Sequence, residues 1–275
     1  QGRGALALQD AAGAMAHFEK AAATGYQAPG FDYSMGLALI ELHRQALEQT
    51  SHIQKESDKQ ARIAEIERKY KAPALVHLRA ALAEGVESPA YAMGLVGLHE
   101  GHLEEALARA REAFAAAPWL YEAKKLEGDV LFAMGRLTGH DKVVDYERTH
   151  GYFEQAATAY HAAADVARSD PAVHEAECEL WIQAMNAAGE HDAPMRPGFD
   201  RARSACERAI AASPRRPSGY LKLAFAHSCF AFWVADGSHE GESPELVLTQ
   251  AALRVEVAVR QSPGEAFASY LVGMV

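Results

Sequence analysis

Cysteine is scarce in this 275-residue chain: Cys178, Cys206 and Cys229 are the only three, with no CxxC pair and no even framework. They read as free thiols in a reducing compartment, and the chain is expected to be cytoplasmic. No dense Lys/Arg block occurs and the net charge is −10. Without a basic face to neutralise phosphates, nucleic acid is not an expected partner. Alternating Val-, Ile- and Thr-rich runs are almost absent, which disfavours sheets. The most apolar run, LKLAFAHSCFAFWVA (Leu221–Ala235), has 15 residues and includes Lys222, His227 and Ser228. A bilayer span needs about 20 mostly apolar residues, so this run reads as a buried helix and no membrane insertion is expected. No signal peptide opens the chain. It begins with Gln1 and ends on YLVGMV without a helix stop signal, so both ends are expected to be cut from something longer.

What is present favours helices. The chain is 49% hydrophobic and 23% charged, enough to bury a sizeable core. Ala is abundant and Glu, Leu, Arg and Gln are frequent, all good helix formers. Gly94 and Gly101 are seven apart, as are Gly128 and Gly135, and the pairs are offset by 34 residues. That is the period of the tetratricopeptide repeat, a two-helix unit with a W-x2-L-G-x2-Y…A-x3-F…P pattern.

The second helix of each unit carries its own spacing. Ala106, Ala113 and Pro118 recur as Ala202, Ala209 and Pro214, and as Ala251, Ala258 and Pro263. The Ala pair alone recurs at Ala14/Ala21, Ala74/Ala81 and Ala156/Ala163, making six copies. Four residues after each first Ala stand Phe18, Leu78, Ala110, Tyr160, Cys206 and Val255. Small residues let paired helices approach, the larger one fills the groove, and Pro ends the hairpin. In LEEALARAREAF the apolar residues Leu103, Ala106, Leu107, Ala110, Ala113 and Phe114 follow the helical period. The expected fold is all-α, an α-solenoid of about six tetratricopeptide helix pairs over residues 1–275, truncated at both ends.

Intervals between copies are 60, 32, 50, 46 and 49 residues, so units of 34 carry insertions and elongated helices. Residues 45–71 (Gln45 to Lys71) have strong helix propensity without Gly or Pro, and predict an inserted helical extension that projects as a hairpin. Further insertions are expected near Thr138–His150, Glu190–Pro197 and Asp236–Pro244, the last two as loops.

ESPAYAMGLVGLHEGHLEEALARAREAFAAAPWLYEAKKLEGDVLFAMG (Glu87–Gly135), AADVARSDPAVHEAECELW (Ala163–Trp181) and AEIERKYKAPALVHLRAAL (Ala64–Leu82) carry a more specific likeness. They resemble the tetratricopeptide regions that follow the kinase domain in bacterial, particularly myxobacterial-type, serine/threonine protein kinases. The resemblance implies a non-catalytic C-terminal half that binds substrates, regulators or another copy of itself. The kinase motifs themselves are missing: no Gly-rich loop before a Lys-bearing strand, no H-R-D and no D-F-G. The chain is not expected to be an enzyme, and neither catalytic residues, cofactor nor metal is assigned.

Other reactive patterns fall away in turn. HEGH (His99–His102) places its His three apart across a Gly, whereas a helical zinc motif needs H-E-x-x-H. Cys206 sits at the groove-filling site of a second helix, which favours packing over nucleophilic chemistry. Phe225, Cys229 and Phe232 share a helical stripe expected in the core, with Phe230 and Trp233 partly off it and the cluster alternatively an exposed docking surface.

In the resembled family the first helices line a concave groove that takes peptides. Its positions here are Tyr91, Leu95 and Leu98; Lys125, Asp129 and Phe132; Ile182, Met185 and Asn186; Lys222 and Phe225. The Lys/Asn/Asn/Lys/Arg set that clamps C-terminal carboxylates is not reproduced, so a mixed, partly apolar groove for protein or peptide ligands is expected. Self-association through uncapped ends is the alternative. Within Ala115–Gly135, Trp119 is expected to pin the joint between repeats. Lys124 should point to a neighbouring helix or solvent, and Lys125 into the groove.

Overall fold

A computed structural model describes residues 1–26, 28–50, 53, 55–138, 146–235 and 243–261. Among them every regular element is helical. The helices are α1 (Gly2–Ala7), α2 (Ala11–Ala23), α3 (Phe31–Glu48), α4 (Glu56–Ile66), α5 (Ala72–Glu84), α6 (Pro89–Glu100), α7 (Leu103–Ala116), α8 (Tyr121–Thr138), α9 (Tyr146–Val166), α10 (Pro171–Glu190), α11 (Arg196–Ala212), α12 (Pro217–Ala235) and α13 (Pro244–Gln261). Local chemistry explains several starts. Pro opens α6, α10, α12 and α13, where its missing N–H costs nothing. The Asp10 and Asp170 carboxylates cap α2 and α10 by accepting from Gly13 N and Ala172 N. Gly101 adopts a left-handed conformation at the end of α6, so HEGH is a helix stop.

Residues 1–109 and 110–275 form two compact units, the boundary falling inside α7. The first unit has a core of Ala14, Met15, Phe18, Met35, Ala38, Leu39 and Ala74. Within residues 45–71, α4 runs through a π-helical turn at Glu67–Lys71 directly into α5. Only Ile66 of α4 is buried, and Arg62–Glu65 at 2.6 Å decorates its solvent side. The expected insertions at 138–150 and 236–244 lie largely outside the described residues, as do Pro263 and the YLVGMV terminus.

Three hairpins share one packing rule: a small residue on the first helix receives the large residue of the second. A Cβ placed on Gly2 would lie 2.5 Å from the Phe18 ring, one on Gly36 2.8 Å from Leu78, and one on Gly128 2.5 Å from Tyr160. Each glycine is therefore held by close approach. In α12–α13 the corresponding pair is Ala224 and Val255, which share a small core.

In α10–α11 that same crossing holds Cys178 and Cys206, which are disulfide-bonded with Cα atoms 5.2 Å apart; only Cys229 is free. This corrects the expectation of three free thiols. Two medium side chains replace a small–large pair, at a separation that suits an S–S bond. The signal lay in the repeat register: Cys178 stands where Gly128 does, and Cys206 where Tyr160 does.

Two aromatic expectations are also corrected. Trp119 is 73% exposed in the turn between α7 and α8 and pins no joint. Phe232 is 62% exposed, whereas Phe230 is buried and stacked on Phe199 at 4.3 Å. Phe230 meets the preceding second helix, so that side of α12 is buried too.

Candidate interaction face

The first helices of residues 110–275 are α8, α10 and α12, and three pairs of polar side chains line their common face. On α8, Lys125 donates to Asp129 at 2.9 Å, and the buried Tyr160 hydroxyl donates to the same carboxylate at 2.8 Å. Burial first, then the Asp129 charge, raise the Tyr160 phenol well above its usual range, so it remains a donor. From α12, Lys222 donates to Glu179 of α10 at 3.1 Å, and Gln183 bonds the other oxygen of that carboxylate. The Lys222 charge outweighs burial and holds Glu179 below the usual carboxylate range. Near the far end, the Trp233 indole N–H donates to Asn186 at 3.1 Å.

The expected groove residues separate on this face. Lys125, Asp129, Phe132, Asn186, Lys222 and Phe225 are all half-exposed in α8, α10 and α12. Phe132 packs its ring 5.7 Å from Phe153, with the Arg136 guanidinium above it. Met185 is a correction: it has no exposed surface and lies in the cluster with Phe199, Phe230 and Val234. It sits one residue before Asn186, and that 100° step turns it into the hairpin. Leu95 is corrected likewise, since α6 buries it beside Ala92. Tyr91, in the first unit, remains half-exposed. Lys125 and Lys222 are each paired with a carboxylate, so among the described residues the face shows no spare pair of cations for a terminal carboxylate.

On the other side of the same helices lies a second set of groups, built on two buried carboxylates that the sequence did not single out. Glu127 of α8 is buried and accepts from Arg111 of α7 at 2.8 Å and from Lys124 at 2.6 Å. Burial alone would raise its pKa, but the bonds and charges of Lys124 and Arg111 prevail and lower it. Lys124 also lies 4.8 Å over the Phe114 ring, so it does point to the neighbouring helix. One repeat later Glu177 of α10 accepts from His161 of α9 and Arg208 of α11, both at 2.7 Å.

Comparison with known proteins gives the fold. The sequence matches no protein-family model and no curated protein. A solved thermophilic tetratricopeptide-repeat protein of Thermus thermophilus matches with a TM-score of 0.51 and 18% identity, covering 84% of this chain and 99% of that one.

The chain has the all-α tetratricopeptide-repeat fold.

A tetratricopeptide-repeat protein from Parabacteroides merdae ATCC 43184 (TM-score 0.39, 14% identity, 99% of this chain and 95% of that) and MamA MSR-1 (0.39, 12%, 80% and 98%) score lower and carry no weight here. In tetratricopeptide terms, α8, α10 and α12 are the first helices of their repeats, and α9, α11 and α13 the second. Among the described residues no group of three or more His, Cys, Asp or Glu side chains is placed to hold a metal, and no helix is long and apolar enough to cross a membrane.

Proposed function

We propose that this tetratricopeptide-repeat chain is a protein-interaction module whose working surface is the first-helix face of α8, α10 and α12. The observation that supports it is the half-exposed row Lys125, Asp129, Phe132, Asn186, Lys222 and Phe225, where aromatic edges stand between paired charges. Such a face suits a peptide with an aromatic or aliphatic anchor and flanking polar groups. With a net charge of −10, a protein partner fits better than nucleic acid. Peptides selected against the full chain from a random displayed library should lose affinity when Lys125, Phe132 and Lys222 are replaced together by Ala. Unchanged affinity in that triple variant would overturn the assignment of this face.

The finer reading is a C-terminal regulatory or substrate-recruiting region of a serine/threonine kinase. The likeness of Glu87–Gly135 and Ala163–Trp181 to such regions supports it. A stand-alone adaptor, or a scaffold that associates with itself, is compatible with the same fold. The polypeptide encoded upstream of Gln1 separates them: a kinase domain there supports the link, and its absence removes it.

A further inference from the structure

The joints between successive hairpins carry a site of their own. At each joint a first helix packs between two second helices, and the repeat register aligns the joints residue by residue. Arg111, Lys124, Glu127 and Ala162 of the joint at α7, α8 and α9 correspond to His161, His174, Glu177 and Arg208 of the next. At α11, α12 and α13 the same positions are Glu207, Tyr220, Leu223 and Val257.

In the middle joint Arg208 of α11 supplies the second donor to the buried carboxylate, bonding Glu177 Oε2 at 2.7 Å. In the first joint Lys124, from the same helix as Glu127, takes Oε2 instead at 2.6 Å. The position that would send a side chain across from α9 is Ala162. The space filled by Arg208 at one joint is thus left open at the other, as a pocket of about 240 Å³ walled by Arg111, Lys124, Glu127, Gln155, Thr158 and Ala162.

Charge determines what fits there. Glu127 has both oxygens engaged, while Arg111 commits only its Nε and keeps its terminal N–H donors. Two cations against one carboxylate leave the pocket at +1 within a chain of net charge −10. A second guanidinium would be repelled; an anion of one or two oxygens would find a guanidinium fork, an ammonium and a shaped recess. We propose that this pocket binds a carboxylate side chain, Asp or Glu, of an acidic peptide segment of a partner protein. The site is separate from the first-helix face and does not depend on it.

The test uses the full chain, a fluorescein-labelled nonapeptide of alternating Glu and Gly, and its Gln counterpart, read by anisotropy at low salt. The Glu probe should bind saturably and roughly tenfold or more tighter than the Gln probe, the scale of one charge-assisted contact. Arg111→Gln should weaken it by a similar factor. Because Arg111 also serves Glu127, the deciding variant is Ala162→Leu, which projects into the recess that Arg208 fills at the middle joint and should abolish binding while keeping the helical spectrum. Replacing Lys125, Phe132 and Lys222 together should leave Glu-probe binding unchanged, which separates this site from the first-helix face. Equal binding of both probes, no saturable binding of the Glu probe, or binding indifferent to Ala162→Leu would each overturn the proposal. Competition by inorganic phosphate but not by acetate would overturn the carboxylate assignment.

Discussion

The hairpins α8–α9 and α10–α11 occupy the same register of the repeat and solve the same two problems differently. At the helix crossing, the first seats the Tyr160 ring on Gly128, while the second joins Cys178 to Cys206 covalently. At the joint, Glu127 is neutralised partly from its own helix, whereas Glu177 draws both partners from neighbouring second helices. The repeat therefore constrains combined volume and local charge balance at each layer rather than residue identity. One hairpin relies on shape, the other on a bond and a bridging cation, and the first leaves an open pocket.

Removing the shape-based crossing is the harshest way to break the comparison. Tyr160 is 1% exposed and its hydroxyl serves Asp129, so Tyr160→Ala loses both a filled groove and a bond. Urea unfolding should show a loss of about 3–5 kcal/mol. The covalent crossing should cost slightly less. The Cys178–Cys206 bond spans 28 residues, and opening it should lower stability by about 3 kcal/mol. Thiol titration in denaturant distinguishes the states: one reactive thiol, Cys229, before reduction and three after. Three thiols without reductant would restore the sequence-based expectation and remove the contrast.

Much of this was legible before any coordinates. The Gly pairs and the Ala-x6-Ala spacing located the hairpins because helix packing demands small residues at fixed intervals, and Phe18, Leu78 and Tyr160 were identified as groove fillers. What escaped depends on which first-helix residue meets each filler. Spacing within the second helices does not identify the first-helix residue each filler meets, so it does not by itself place Cys178 opposite Cys206. Likewise Met185 and Asn186 are adjacent, and only the helix azimuth decides which enters the core. Trp119 followed the expectation that a large aromatic is buried, but it lies in a turn, where no neighbouring helix covers it. The buried Glu127 and Glu177 were unmarked because a Glu on a helix reads as solvent-facing until its cations arrive from other helices.

A third joint sharpens the contrast through pH. The position of Leu131 and Trp181 is taken in α12 by His227, which is 3% exposed with its ring 5.0 Å from Phe199. Burial first, then Arg254 and Arg203, lower its pKa from 6.5 to about 4. The folded state therefore refuses a proton that the unfolded chain accepts. Stability is retained above pH 6.5 and falls as pH drops toward 4, by about 3 kcal/mol in total. Urea midpoints measured at pH 7, 5 and 4 should show the decline, and His227→Leu should flatten it. A slope unchanged in the variant would assign the effect elsewhere, to Glu127 or Glu179, whose carboxylates lose their stabilising partners as acid protonates them.

The smallest effect separates the two lysines of the interaction face. Lys222 ties α12 to Glu179 of α10 and is 13% exposed, so it links two hairpins. Lys125 reaches Asp129 within α8 itself, four residues on, and that carboxylate keeps the Tyr160 hydroxyl when the lysine is gone. Lys222→Ala should therefore cost about 1 kcal/mol, and Lys125→Ala no more than about 0.5 kcal/mol, as expected for a helical i,i+4 pair. Raising the salt concentration should erode the Lys125 contribution more, because that pair is the less buried of the two at its cation. Equal costs would mean that Lys222 holds nothing between the hairpins. The α10–α12 contact would then rest on apolar packing alone, and the face would be free to exchange Lys222 for a ligand's cation at Glu179.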